Sequence, residues 1–446
     1  MSCGNEHDVA CGLANRCRWV CEAASGWTRA LLVFLALSLL SLVARAEDID
    51  GVQCAALDQP RVNMVLRRAA HGPMLAGKTL GEEAFNVEAF LDTGASGVLI
   101  STNSAQTLGV KREQALNAPE HEARFEDVGV GGGSQFAVSE PLFVSLAPST
   151  ADVENKAAVD GIYSLTCGPF RAQVGPLDSG MDMLTAMALG DMDIAGTPVM
   201  AGKVVVMDTR DVNKFADKIR TTVYDARDRG AMAAVPRTKR HVQLSYALFK
   251  RFTKTTPANV EGPAMGANPF IGPNPLQPSG DPTPPVTARY HDHASAGSWL
   301  LDTGAVASMI SRKQAAAVGV KYVANTEGTD NPVLAGVPKE QQFTLSVGGI
   351  GGSKKAAGFY LDQLSLRTRE GQPLNFLHAP VLVTDITVKD QATGQTLTLD
   401  GVFGMNFLVA SANVQQAGLM PDIGKLTPGA FRWIVFDQPA GVLGLE

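Results

Sequence analysis

Two short stretches of this 446-residue chain hold the same acid in the same setting. Residues 90–101 read FLDTGASGVLIS and, 210 residues later, residues 300–311 read LLDTGAVASMIS. In each, an apolar pair leads into Asp-Thr-Gly-Ala and an apolar run follows. A single Asp-Thr-Gly says little, because Asp commonly caps turns and helices. Apolar flanks, however, place the turn in an interior, where a carboxylate is costly unless paired or hydrogen-bonded. Two such acids from two repeats offer a solution. Face to face, Asp92 and Asp302 cannot both ionise and would share a proton. One is then a general base while the other is a general acid at the same pH. Gly94 and Gly304, lacking side chains, would let the two loops come close. The Thr93 and Thr303 hydroxyls would hydrogen-bond the opposite loop and hold it rigid.

These loops must be positioned by elements that repeat with them. Aligned without gaps, residues 90–110 and 300–320 agree at 10 of 21 positions, an internal repeat. After each acid the pattern predicts an apolar strand, then a short helix, TNSAQTLGV or RKQAAAVGV, with Ser101 or Ser311 as N-cap and Gly109 or Gly319 just past its end. Downstream, residues 128–146 and 347–366 each read as a strand, a glycine-rich tip and a returning strand, that is, a hairpin. The tips hold Gly131, Gly132 and Gly133 in one copy and Gly349, Ile350, Gly351 and Gly352 in the other. So many glycines allow backbone to approach a ligand closely. A third pair, DIAGTPVM from Asp193 and GVFGMNFL from Gly401, sets Gly196 and Gly404 after an apolar pair. Each is followed by a late strand ending in Asp, GKVVVMD or FRWIVFD.

Between the repeats, Val212, Phe215, Ile219, Val223 and Ala226 recur at a helical period, which predicts a surface helix. Residues 210–254 hold twelve Lys/Arg against four Asp, read as a solvated basic connector rather than a docking site. HVQLSYAL, from His241, reads as a strand, and the Pro/Gly/Asn-rich stretch 257–285 as a loop insertion. The expected domains are thus 47–208, a helical connector 209–240, and 241–446 with its insertion. Apolar residues make up 45% of the chain, charged residues only 18%, and there are 45 glycines, which suits a strand- and turn-rich protein. The net charge of −6 gives no reason to expect a nucleic-acid partner.

At the N-terminus, residues 30–43 form an uncharged apolar run of 14, preceded by Arg16, Arg18 and Arg29 and followed by Ala44-Arg45-Ala46. The run is short for a membrane span and its flanks fit a signal peptide cut after Ala46, with an uncleaved anchor as the alternative. Either reading implies export, to the periplasm or outside the cell. Cys3, Cys11, Cys17 and Cys21 would be removed with the signal. Cys54 and Cys167 would remain, as one disulfide or as two thiols. No cysteine or histidine cluster suggests a metal; His291-Asp292-His293 reads as a polar surface turn.

With these residues in hand, the chain resembles the aspartic proteases of the pepsin/retropepsin clan. Asp92-Thr93-Gly94-Ala95 and Asp302-Thr303-Gly304-Ala305 match the catalytic motif of that clan. The Gly-rich hairpins resemble its flaps, and GGIGG at 348–352 is similar to the flap tip of retroviral enzymes. Ala195-Gly196 and Phe403-Gly404 resemble the motif that supports the catalytic turns, and the ending WIVFDQPAGVLGLE resembles the last strand of pepsin-like enzymes. The resemblance spans roughly residues 60–208 and 240–446. It implies a mainly β fold of two pseudo-twofold-related acid-protease β-barrel lobes with a cleft between them, and an endopeptidase working as a monomer on polypeptide, without cofactor. It implies too that water held between Asp92 and Asp302 attacks the peptide carbonyl. Split titration of the two acids is an established property of the clan. The alternative reading is a catalytically silent relative that binds peptide in the cell envelope.

The chain also departs from pepsins. Ala95 and Ala305 stand where pepsins carry a hydroxyl, neither hairpin has the tyrosine of pepsin flaps, and the disulfide pattern of pepsins is missing. Two fused repeats distinguish it equally from retroviral homodimers, so a bacterial-type, two-lobed, retropepsin-like enzyme is expected. Little chain separates Ala46 from Asp92, so a long inhibitory pro-segment is not expected. Without those hydroxyls to favour the charged form, the dyad should titrate higher and work best at mildly acidic pH.

Overall fold

The computed structural model describes residues 46–446 apart from 80–81, 96, 116–117, 152–154, 156, 158–164, 178–191, 215–217, 247–281, 390–395 and 415–420. The expected signal segment and most of the Pro/Gly-rich insertion therefore lie outside the described residues. Valine, leucine and isoleucine alternate with small and polar residues through much of the chain, and this pattern forms strands. The fold is mainly β, with barrel-like and half-barrel sheets.

Among the described residues there are two nine-stranded sheets, one from each copy of the repeat. In the first, Arg61–Arg67 pairs antiparallel with Val87–Leu91 and with Leu142–Ala147. Val87–Leu91 ends at Asp92, and Val98–Ile100 returns from the loop. Ile194–Ala195 then slots between them, parallel to the first (Ala195 opposite Leu91) and antiparallel to the second (Ala195 opposite Val98). The second sheet repeats this arrangement. Gly401–Phe403 lies parallel to Leu300–Leu301, with Phe403 opposite Leu301, and antiparallel to Met309–Ile310. The inserted strand caps each acid's own backbone: Asp92 N–H donates to Ala195 O at 3.0 Å, and Asp302 N–H to Phe403 O at 3.1 Å.

Both short helices form as expected. Thr102–Thr107 is capped by the Ser101 hydroxyl, which accepts from Ser104 N–H at 3.1 Å, and Arg312–Ala317 by Ser311, which accepts from Gln314 N–H at 3.2 Å. Gly109 and Gly319 follow at φ 64° and 87°, the left-handed conformation that ends a helix most cheaply on glycine. His291-Asp292-His293 is the exposed turn between strands Pro285–Tyr290 and His293–Ser298.

A five-stranded sheet brings late strands of both repeats together: Lys203–Asp208 pairs antiparallel with Trp433–Asp437, flanked by Arg220–Asp225, Val442–Leu445 and Arg240–Gln243. This corrects the helical reading of the connector. Ile219, Thr221 and Val223 are buried at every second position, and the β-branched run Thr221-Thr222-Val223 prefers a strand. Among the described residues of the connector, only Arg229–Met232 is helical, capped by Asp228. Much of the basic charge is paired locally, Arg210 with Asp208 at 2.8 Å and Arg227 with Asp225 at 2.8 Å.

The disulfide alternative is also corrected: Cys54 and Cys167 are two separate thiols. Cys54 lies beside strand Ser411–Val414, its sulfur 3.2 Å from Asn413 Oδ1. Cys167 belongs to the first nine-stranded sheet, its sulfur 3.5 Å from Val144 O. Cys54 directly precedes strand Ala55–Ala56, which belongs to a separate three-stranded sheet.

Gly196 and Gly404 sit where the inserted strands turn. A Cβ on Gly196 would fall 2.0 Å from Gly97 O and 2.5 Å from Ala95 O; one on Gly404 would fall 2.7 Å from Ala307 O. Gly196→Ala is therefore expected to destabilise the protein by about 2 kcal/mol or more, and Gly404→Ala by less. Urea unfolding of both variants measures this; an unchanged midpoint for Gly196→Ala would refute the steric reading.

Candidate functional site

The two Asp-Thr-Gly loops are joined by an exchange of hydrogen bonds. Thr93 N–H donates to Thr303 Oγ1 at 3.0 Å, and Thr303 N–H donates to Thr93 Oγ1 at 3.1 Å. Each hydroxyl then donates across to the opposite strand, Thr93 Oγ1 to Leu301 O at 2.6 Å and Thr303 Oγ1 to Leu91 O. Both threonines are buried. Four polar groups are thus satisfied in a place closed to water, which fixes one loop against the other.

This lock presses the acids together. A Cβ on Gly94 would lie 2.5 Å from Asp302 Cγ, and a Cβ on Gly304 would lie 2.4 Å from Asp92 Oδ2. Each carboxyl therefore occupies the space that the opposite glycine leaves empty. Asp92 Oδ1 accepts from Gly94 N–H at 2.7 Å and Ala95 N–H at 3.2 Å, and its carboxyl is also reached by the Gly304 N–H. The Gly304 and Ala305 N–H groups favour the ionised form of Asp302, and the Ala305 N–H donates to Asp302 O at 3.2 Å.

Both acids hold their protons more tightly than an ordinary aspartate. Burial is the chief cause in each. For Asp302 the charge of Asp92 adds to it, and Asp302 lies well above the usual range. The main-chain N–H groups work the other way and keep an ionised form attainable. Asp302 Oδ1 is buried without a hydrogen-bond partner, the position at which a shared proton or a bound substrate atom would be satisfied.

The supporting glycines act as the repeat suggests. Thr197 N–H, after Gly196, donates to Ala95 O at 2.8 Å, and Met405 N–H, after Gly404, donates to Ala305 O at 2.9 Å. Other supports were not singled out in the sequence. Asp193 is buried and its carboxylate accepts from Ser101 N–H at 2.7 Å and Ser104 Oγ at 2.8 Å. Ser308 Oγ accepts from Gly404 N–H at 2.9 Å and donates to Asn406 Oδ1 at 2.7 Å. The Gln59 side-chain amide donates to Gly304 O. Asp193 opens the third repeated stretch, a signal that could have marked it; Gln59 has no such mark.

The glycine-rich hairpins form from Arg124–Gly129 with Gly132–Val138 and from Gln342–Gly349 with Gly352–Leu366. Their tips meet. Gly131 N–H donates to Ile350 O at 3.0 Å. A Cβ on Gly131 would lie 2.3 Å from Gly352 O, and one on Gly351 would lie 2.2 Å from Gly132 C. Gly349 faces Val130 across the junction, while Gly133 lies back in its strand opposite Val128. The apolar tip residues are exchanged: Ile350 packs against the cluster of Leu99, Phe136 and Ile194 in the first repeat, and Val130 against the cluster of the second that includes Leu300, Ala307 and Met309. Under Ile350 lies an apolar pocket lined by Leu99, Phe136, Pro176, Met192 and Ile194, with Ser134 at its polar edge.

No model of a known protein family matches this chain, and no curated protein matches its sequence. Among the described residues, no group of three or more His, Cys, Asp or Glu side chains is arranged to hold a metal ion. What the site offers is a pair of buried carboxyls with raised proton affinity, main-chain donors around them and apolar surface beside them.

The raised proton affinity has a consequence for stability. Because the folded chain binds the Asp302 proton more tightly than the unfolded chain, stability falls as pH rises from the ordinary carboxyl range through the folded pKa. Asp302→Asn removes that penalty. Its melting temperature should exceed that of the parent at pH 7 by at least about 2 °C, with the difference shrinking below about pH 4, where the aspartate is protonated in both states. Thermal melts from pH 3 to 8 measure it, and a variant less stable than the parent at pH 7 would contradict the assignment.

Proposed function

We propose that this chain is an aspartic-type endopeptidase in which two pseudo-twofold-related lobes, one from each repeat, enclose a peptide-binding cleft beneath the hairpin tips. The observation that carries the reading is the placement of Asp92 and Asp302 against each other's glycine, held by the Thr93–Thr303 exchange. Buried paired carboxyls are costly to a fold, and the surrounding main-chain donors make sense where one of them must ionise.

In this reading one proton is shared by the pair. The ionised carboxyl takes a proton from water bound between the acids, and that water attacks the carbonyl carbon of the scissile peptide bond. The protonated carboxyl donates to the carbonyl oxygen as it becomes tetrahedral. The carboxyl that took the water's proton passes it to the leaving nitrogen, the other carboxylate takes a hydroxyl proton from the tetrahedral carbon, and the C–N bond breaks as the carboxylic acid forms, which returns the pair to its starting state. The apolar surface of Leu99, Phe136, Pro176, Met192 and Ile194, uncovered once Ile350 withdraws, would receive a substrate side chain, and the hairpin tips would cover the extended peptide. Opening of the Gly131–Ile350 contact would admit it.

The purified chain is expected to cleave an unfolded polypeptide, and Asp92→Asn or Asp302→Asn should each lower kcat/KM by at least about a hundredfold. Ala95 and Ala305 leave the pair without a neighbouring hydroxyl donor, so activity should peak at mildly acidic pH. A peak below about pH 3 would contradict this. Cleavage surviving either substitution would remove the mechanism, and no cleavage at any pH would favour a peptide-binding module without catalysis.

A further inference from the structure

The two repeats line their sides of the site with equivalent positions, and at three of them the residues differ in kind. Strand pairing sets the equivalence. Leu99 lies opposite Ile194 in the first repeat as Met309 lies opposite Val402 in the second. Gly129 lies opposite Gly132 at one hairpin tip as Gly349 lies opposite Gly352 at the other. Counted from those tips, Ser134 and Phe136 stand where the second repeat has Lys354 and Ala356. The strands parallel to Leu99 and Met309 also end alike: Gly175 N–H donates to Ile100 O at 3.2 Å, and Thr384 N–H to Ile310 O at 3.0 Å. Pro176 therefore stands where the second repeat has Asp385. Ser134, Phe136 and Pro176 line the apolar pocket under Ile350. We propose that the matching surface of the second repeat is a subsite for an acidic side chain, and that Lys354 selects glutamate there on one side of the scissile bond. The inference rests on the endopeptidase reading and names the kind of bond that the enzyme cuts.

Lys354 is placed for this by the alternation of its strand. Lys354 and Ala356 share one face of Gly352–Leu366, across from Val347 and Leu345 on the neighbouring strand. Ala356, Val347 and Leu345 belong with Val130 to the apolar cluster of the second repeat. Lys355 faces the other way and pairs with Asp330 at 2.8 Å. The Lys354 ammonium lies 3.5 Å from Asp385 O, on the main chain of the residue equivalent to Pro176. Alanine in place of Phe136, and Val130 in place of Ile350, both remove bulk on this side, as a long side chain such as glutamate requires.

The charges around the ammonium leave it open to an acid. Asp385 and Glu327 are turned to Arg312. Asp385 accepts from Arg312 N–H at 2.8 Å and from its Nε at 2.7 Å, and Glu327 accepts from its Nη1 at 3.0 Å. Among the described residues, no carboxylate pairs directly with Lys354. Burial loosens its hold on its proton, and the fields of Glu327 and Asp385 only partly oppose this. An apolar peptide side chain laid here would bury the ammonium further without a partner, whereas a carboxylate would supply one. The first repeat has the opposite polarity at the equivalent pair. There Asp127 stands across from Ser134, its Oδ2 accepting from Gln173 Nε2 at 2.6 Å, where the second repeat has Val347 across from Lys354. An acidic side chain would be repelled on that side. The bond that fits both sides joins an apolar residue, held by the first repeat, to glutamate, held by the second.

The test uses the full chain and peptides of one length that carry Leu-Xaa or Xaa-Leu at the scissile bond, with Xaa Glu, Gln, Leu or Lys. Both orders are needed to find which side of the bond each repeat holds. At about pH 6, where glutamate is ionised, one order should show kcat/KM at least about tenfold higher for Glu than for Lys, the order that a hydrogen bond between charged groups contributes. Lys354→Met should bring the ratio of Glu to Gln to about one, and Lys354→Glu should reverse the preference between Glu and Lys. If Lys354→Met does not fold, Lys354→Gln reads the same loss. A preference for Glu that persists in a folded Lys354→Met or Lys354→Gln would overturn the proposal, as would a parent that cuts the Lys peptides as well as the Glu peptides. If the parent cleaves none of them, calorimetric binding of the same peptides decides. Glu-selective binding that is lost in Lys354→Met would keep the role of Lys354 and discard the endopeptidase reading; unselective binding, or none, would overturn the proposal as well.

Discussion

The structure around the site depends on one exchange: the N–H of Thr93 and of Thr303 each donates to the other's hydroxyl, and each hydroxyl donates onward to the opposite strand. Four hydrogen bonds in a water-excluded setting leave the two loops a single relative position. Everything else at the site presupposes that position. The glycines must be glycines because each faces the opposite carboxyl at a distance no Cβ could occupy. The inserted strands ending at Ala195 and Phe403 cap the acids' backbone, and the residues after Gly196 and Gly404 hold the outer carbonyls.

That rigidity is what makes an unfavourable arrangement sustainable. Two acids buried together resist ionisation, and a chain that carries them loses stability at neutral pH. Main-chain N–H groups from both loops offset part of the cost. The hairpin tips are joined by a short contact between glycine-rich segments, and each packs its large apolar residue against the other repeat. In the proposed reading, rigid acid loops and separable hairpin tips together would admit an extended chain and then exclude water.

The acids and their setting were legible in the sequence because the chain states them twice. Asp92, Asp302, the paired threonines and the glycines share local spacing, and a repeat turns local spacing into a statement about distant partners. The hairpins and capped helices followed from turn and cap chemistry. Gln59 was not legible: an ordinary polar residue before a proline gives no hint of a partner 245 residues away. The strand Arg220–Asp225 was misread because Ile219 and Val223 fit both a helical and an alternating period, and the buried Thr221 between them does not register as apolar. Cys54 and Cys167 differ again, since being the two cysteines after the apolar N-terminal run says nothing of where each one packs.

The central claim is that one proton and one bound water serve two joined carboxyls. The most direct measurement is the calorimetric titration of a peptide whose scissile bond is replaced by a non-cleavable hydroxyl group that mimics the tetrahedral state, repeated across pH. The account predicts one molecule bound per chain, tightest at the mildly acidic pH where the pair holds a single proton, and much weaker binding in Asp92→Asn and Asp302→Asn. Binding that is equally tight in those variants, or indifferent to pH, would contradict it.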